Sequence, residues 1–380
     1  MGIHRLIEET SKIQKEPRYQ QLKGFWKDFY SRKEHGRVPV TVDMNNAFWA
    51  KMLDVNLLEV YEKPEKHVEY QLRAKIFRHR EFRDDAPFWG GVAVSFGNAF
   101  EASLLGVKPV FRPDTDPWRG DPTIRSDDDL EKLEFPDFYK SGLMPKVHEF
   151  YEKIRKIAGR DIRVAFPGCV RGLWGLANDL RGMQNILVDT FRNPDLVNKI
   201  MRFVTEYRIR FEKERAAFLG TEIGAGILGN DEVNCNVISP RIYDKFIFPY
   251  EQKLADFYPE GISYYHSCGN LTPILDRIIR LRGLKRLHIS PWTDFRIATE
   301  KFGEKVIFQR RLHPVDDVLL RSSNEMKEVV ERALKIGYGL KMELAAGPFE
   351  TGPLEKMQTW INVSKKAVSD LSSRDISGAS

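Results

Sequence analysis

The feature that most limits the fold is an alternation repeated along the chain. A short apolar, β-branched run is followed by a turn of Gly, Pro, Asn or Asp, and then by an amphipathic helical stretch. Such alternation builds βα units around a parallel sheet, because parallel neighbours need a long crossover between them. Six units are clearest, with strand segments "IRVAFPG" (162–168), "AGILGND" (225–231), "GISYYHSCG" (261–269), "LKRLHISPW" (284–292), "KVIFQRRLHP" (305–314) and "LKMELAAG" (340–347). Two more, "RVPVTVDM" (37–44) and "GVAVSFG" (91–97), stand upstream. Eight units predict a (β/α)8 TIM barrel over 37–371, with an N-terminal helical cap over 1–36 and a flexible tail over 372–380. An open doubly wound sheet is the alternative, but no Gly-rich phosphate loop follows the first strand.

On a barrel, residues just beyond the strands' C-terminal ends converge on one face, where barrel enzymes place their chemistry. Cys169, Asp231, Cys235, His266, Cys268 and Glu343 all come within reach of that rim. The chain's 60 basic and 54 acidic residues are interleaved, as in "EYRIRFEKER". That pattern describes solvated helix faces and argues against a nucleic-acid-binding stripe. Three cysteines are too few for a secreted disulfide framework. No run of about 18 apolar residues occurs, and the charged N-terminus lacks an apolar leader core, so a cytoplasmic protein without a membrane span is expected.

The stretch "SYYHSCGN" (263–270) carries the most specific chemistry. Side chains two apart on an extended chain point the same way, so His266 and Cys268 can grip one metal. A mixed N/S pair suits zinc, and a catalytic zinc keeps three protein ligands plus an open position. The competing reading is a buried cysteine beside a hydrogen-bonded histidine. The Gly-Asn turn and the Thr272-Pro273 helix start put the pair at a strand-to-helix junction.

Three stretches together resemble one family. They are "FPGCVRGLWGLANDLRGMQNILVDTFRNPDLVNKIMRFVTE" (166–206), "NDEVNCNVISPRIYDKFIFPYEQKLADF" (230–257) and "YYHSCGNLTPILDRI" (264–278). They are similar to segments of the uroporphyrinogen decarboxylase superfamily, and within it to the zinc-dependent corrinoid-linked methyltransferases. The resemblance implies a (β/α)8 barrel with zinc on His266 and Cys268. True uroporphyrinogen decarboxylases carry an Arg-Gln-Ala-Gly-Arg motif near the N-terminus, which this chain lacks. Many of the methyltransferases supply a further cysteine after the last strand, whereas 340–380 contains none. Two replacements stand open. Glu343 lies in an otherwise apolar strand, where an acid must be metal-bound, neutralised or paired with an arginine such as Arg310. Cys235 follows the preceding strand, and its other reading is a small buried apolar residue.

The resemblance further implies transfer of a methyl group to the Co(I) of a corrinoid (cobalamin) carried by a separate protein, since no corrinoid-binding segment occurs in this chain. A methoxylated aromatic is the first choice of donor, with aromatic rings Trp49, Phe88 and Trp89 and the amide of Asn230 as substrate contacts. Methylamine or methanol donors, transfer from methylcorrinoid to a thiol, and a metal-independent lyase are the alternatives. Asp231 and Glu232 are candidates for acid/base work or for hydrogen bonds to metal ligands, against a plain turn role. His288 and His313 read as structural histidines, Cys169 as packing, and a homodimer is compatible with the chain.

Overall fold

The computed structural model describes residues 2–31 and 37–377, with side chains through Leu371. Among the described residues ten strands occur: β1 (Val40–Met44), β2 (Val92–Ala93), β3 (Pro109–Val110), β4 (Trp118–Arg119), β5 (Val164–Ala165), β6 (Gly226–Gly229), β7 (Ile262–His266), β8 (Arg286–Ile289), β9 (Ile307–Leu312) and β10 (Met342–Phe349). Six form one parallel sheet in the order β1-β10-β9-β8-β7-β6. β2 and β5 pair in parallel, and a parallel bridge from Arg171 to Gly229 joins them to β6. These eight parallel strands are the ones the sequence predicts, and they form a (β/α)8 barrel. β10 overruns its expected segment by two residues, and β3 and β4 add an antiparallel hairpin between β2 and β5.

Between β1 and β2, side chains take the place of a ladder. Asp85 accepts from the Val40 N–H at 2.9 Å and Asp84 from the Val42 N–H at 3.0 Å, so carboxylates satisfy the edge that β2 would otherwise cover. Both are nearly buried, and Arg37, Arg78 and Lys365 neutralise them.

The N-terminal helices Ile3–Ile13 and Pro17–Ser31 cover the start of the strands. Trp26 and Phe29 bury themselves on Ile307, the first residue of β9, and the Trp26 indole N–H donates to the Asp85 carbonyl at 2.6 Å. This closes one end of the barrel and leaves the C-terminal ends of the strands as its mouth. The last helix runs Leu354–Ser377, past residue 372 where the tail was expected to begin. Residues 378–380 of that tail, and 32–36 of the expected cap, lie outside the described residues.

The inside of the barrel is unusually polar. Tyr264 of β7 reaches Gln309 of β9, Arg286 of β8 reaches Glu343 of β10, and Arg311 of β9 reaches Asp43 of β1. Each contact skips a strand, so each spans the concave face. On the outer face of β7 lies a second buried acid, Glu251, which accepts from Tyr243 at 2.6 Å and from Asn230 at 2.7 Å. Burial pushes its carboxyl up to about 7. The folded protein therefore holds this proton more tightly than the unfolded chain, whose carboxyl titrates near the ordinary glutamate value of 4.5. Stability from this group is greatest at acidic pH and falls as pH rises from about 4.5 to about 7. Comparing urea unfolding at pH 5 and pH 8, the wild type should lose about 2–3 kcal/mol relative to Glu251→Gln; parallel behaviour of the two proteins would refute the assignment.

Candidate metal centre

Alternation along β7 places Tyr264 and His266 on the inner face, with His266 at the mouth. The chain then turns through Ser267, Cys268 and Gly269. A Cβ on Gly269 would sit 2.4 Å from the Asn234 Cβ, so only glycine permits this approach between the loops after β6 and β7. Hydrogen bonds stitch the two loops together: Cys235 N–H to the Asn270 carbonyl at 2.9 Å, Asn270 N–H to Asn234 Oδ1 at 3.1 Å, and Ser267 Oγ to the Val233 carbonyl at 2.8 Å. The same stitching brings the Cys268 N–H to Asp231 Oδ1 at 3.0 Å.

Among the described residues, Asp231, His266 and Cys268 each bring a ligand atom within 4.8 Å of the others. His266 Nε2 lies 3.4 Å from Cys268 Sγ and 3.2 Å from Asp231 Oδ1. Ligand atoms on a tetrahedral zinc, with bonds of about 2.0–2.3 Å, stand about 3.3–3.6 Å apart. The donor set and spacing therefore fit a zinc-sized cation. Burial and the neighbouring Asp231 carboxylate push the Cys268 thiol up to about 12. Three lone-pair donors facing one another in this way lack a positive charge between them.

His288 lies under the trio, its ring centroid 4.0 Å from that of His266. Its Nδ1 hydrogen-bonds the Ser267 carbonyl at 2.7 Å, while its buried Nε2 has no partner. Burial drives its pKa well below the ordinary histidine value, so this ring is neutral. Beside the trio, Arg171 grips Asp179 with two N–H groups, at 2.6 and 3.0 Å, and Glu232 at 2.5 Å. Arg119 adds a 2.8 Å pair with Asp179.

The remaining candidates from the sequence go elsewhere. Glu343 is buried against Arg286, accepts from Tyr30 at 3.2 Å and from Gln309 at 3.1 Å, and is not one of the converging ligands; its partner is Arg286 instead of Arg310. Cys235 is half-buried against the core, with burial raising its thiol to about 11. Glu232 is held by Arg171, its free Oε2 turned toward Gly175. Asn230 is fully buried and clamps Glu251, and a Cβ on Gly172 would fall 1.6 Å from its Oδ1. Trp49 is enclosed by Phe48, Phe77 and Phe82. Phe88 and Trp89 precede β2, at the capped end, where Phe88 meets Tyr19 and His79 and Trp89 lies under Lys75. Cys169 is buried, and His313 caps its own turn by accepting from the Asp316 N–H at 3.0 Å.

A family model described as uroporphyrinogen decarboxylase (URO-D) matches residues 27–367. The chain belongs to the URO-D family. A search of curated proteins finds no match. Among solved structures, a methyltransferase from Methanosarcina mazei superposes with a TM-score of 0.67 at 18% identity, covering 91% of this chain and 98% of that one. It shares the barrel of the URO-D family.

Within this URO-D barrel, the sequence reading did not identify Tyr264, Gln309, Arg171 and Arg286 as neighbours of the site. The signal was present as polar residues at a spacing of two in barrel strands: Tyr264 and His266, Arg286 and His288, Gln309 and Arg311. Because Arg171 neutralises two carboxylates in a nearly dry setting, Arg171→Met should cost about 3–5 kcal/mol in denaturant unfolding. A loss below about 1 kcal/mol, the range of exposed pairs, would show that the cluster does not hold this wall.

Proposed function

We propose that this protein is a zinc-dependent methyltransferase in which Asp231, His266 and Cys268 hold the metal. The observation that carries this reading is the trio at the barrel mouth, with Nε2–Sγ and Nε2–Oδ1 separations of 3.4 and 3.2 Å. The M. mazei methyltransferase of the same fold supports it. In this role Asp231 supplies the third ligand, in place of Glu343 or Cys235. When bound, the cation supplies Lewis acidity toward the heteroatom of a methyl donor.

The reaction proposed is O-demethylation, transfer of methyl from a methoxylated aromatic to the Co(I) of a corrinoid on a separate protein in the cytoplasm. Trp118 of β4 and the loops after β5, β6, β8 and β9, with Val170, Val237, Trp292, Val315 and Leu320, are exposed on the mouth side. Exposed apolar side chains on this rim suit a docked protein, and Trp118 and Trp292 suit stacking on a flat donor. Arg171 fixes the Asp179–Glu232 wall beside the trio. His266 and Cys268 hold the metal from β7, and Asp231 closes the set from β6. Among the described residues no helix is long and apolar enough to cross a membrane.

Metal analysis of the purified protein tests the ligand set. Wild type and Cys235→Ala should each carry about one zinc, and Asp231→Asn, His266→Ala and Cys268→Ser should lose it. Full zinc in Asp231→Asn with loss in Cys235→Ala would reassign the third ligand. With reduced cobalamin as acceptor, methylcobalamin should form from methoxybenzoates and stop on chelation. Turnover of a porphyrin carboxylate unaffected by chelator would instead indicate a lyase.

A further inference from the structure

The hydrogen bonds inside the barrel run from its capped end to its mouth, and their direction is fixed residue by residue. Glu343 lies against Arg286, and Tyr30 from the N-terminal cap donates to it at 3.2 Å. A carboxylate paired with a guanidinium offers only lone pairs, so Gln309 must turn its NH2 toward it, with Nε2 3.1 Å from Oε2. The Gln309 amide oxygen then faces Tyr264 Oη at 2.5 Å and takes that phenol's single proton. Tyr264 Oη is left with lone pairs toward His266 Nδ1, 3.1 Å away. The proton in that contact must therefore come from Nδ1.

We propose that Glu343, Gln309 and Tyr264 are positioning residues, a one-way relay that holds the His266 proton on Nδ1 and leaves Nε2 bare toward Cys268 and Asp231. The competing neutral form has its proton on Nε2, where it would donate to Asp231 Oδ1 across 3.2 Å and close the site to a cation. The acid that the sequence offers as a metal ligand thus acts from the far end of the barrel axis. The use made of the bare nitrogen rests on the metal-centre reading above; the proton placement does not.

Two variants separate a directed relay from mere packing. In Gln309→Met the Tyr264 hydroxyl loses its acceptor and turns its proton onto Nδ1, which drives the ring into the wrong form. In Tyr264→Phe the relay ends without that reversal. Zinc affinity of the full chain, measured by competition with a chelating dye and with folding checked by thermal melts, should fall about 10–100-fold in Gln309→Met. It should fall less in Tyr264→Phe, and the double variant should match Tyr264→Phe, so that the second substitution recovers part of the first loss. Wild-type affinity in Gln309→Met, or a double variant as weak as Gln309→Met or weaker, overturns the relay.

Ring 15N spectra of the metal-free chain, with the His266 signals assigned by their loss in His266→Ala, read the proton directly. The neutral ring should carry it on Nδ1 in the wild type and on Nε2 in Gln309→Met; a wild type protonated on Nε2 rejects the relay. A wild type protonated on Nδ1 that nevertheless binds no zinc upholds the relay and removes the metal-centre reading.

Discussion

The site depends on the stitching between the loops after β6 and β7. No single side chain brings Asp231 to Cys268. The approach follows from four hydrogen bonds that join Val233, Asn234 and Cys235 to Ser267 and Asn270, and Asp231 to the Cys268 N–H. Gly269 allows it by lacking a Cβ where Asn234 passes. These contacts are mostly backbone or short side chains, whose positions vary little with rotamer. A carboxylate from one strand end and a thiol from the next are therefore held together at little cost in conformational entropy.

A barrel is ordinarily filled by layers of branched apolar side chains. In this one the six-stranded arc carries Tyr264, Arg286, His288, Gln309, Arg311 and Glu343 inward. Burying so many polar groups is tolerable only because nearly every charge has an opposite partner across the axis, Arg286 with Glu343 and Arg311 with Asp43. The N-terminal cap completes this arrangement, since Tyr30 both stacks on Trp26 at 5.3 Å and supplies a donor to Glu343. The cap is thus part of the polar core as well as a lid on its end.

Strand segments and barrel class were legible because they depend on local composition and on the order of elements. The His266–Cys268 pair was legible for the same reason, since two residues apart on one strand needs no tertiary information. The third member of the trio was not, because Asp231 reaches it through a loop contact 35 positions away in sequence from His266. An acidic residue in a Gly-Asn-Asp-Glu turn looks the same whether it caps a turn or binds a ligand. The aromatic residues Phe88 and Trp89 show the converse case: their composition suits a pocket, but they enter β2 at its N-terminal end. In a barrel, which end of a strand a residue occupies decides its role more firmly than its type does. Glu343 was correctly singled out as an acid that must be satisfied, and only the packing of β8 against β10 across the axis names Arg286 as the group that satisfies it.

On the proposed function, the identity of the third ligand bears on which methyl transfer the site would favour. A second thiolate would place soft, strongly donating sulfur on the metal and reduce its pull on a substrate oxygen. In the proposed set Asp231 would instead offer a hard oxygen that donates less, beside the His266 nitrogen and the one sulfur of Cys268. With one carboxylate and one thiolate the site's charge balances a divalent cation, as two thiolates would, so the difference lies in ligand softness alone. A harder donor set leaves more Lewis acidity for an ether oxygen, whose C–O bond breaks only if the leaving alkoxide or phenoxide is stabilised. The same set is less suited to keeping a thiolate acceptor nucleophilic, because a more acidic metal holds the sulfur lone pairs more tightly. On the function proposed above, the Asp231–His266–Cys268 combination would therefore favour removal of methyl from oxygen over its delivery to sulfur.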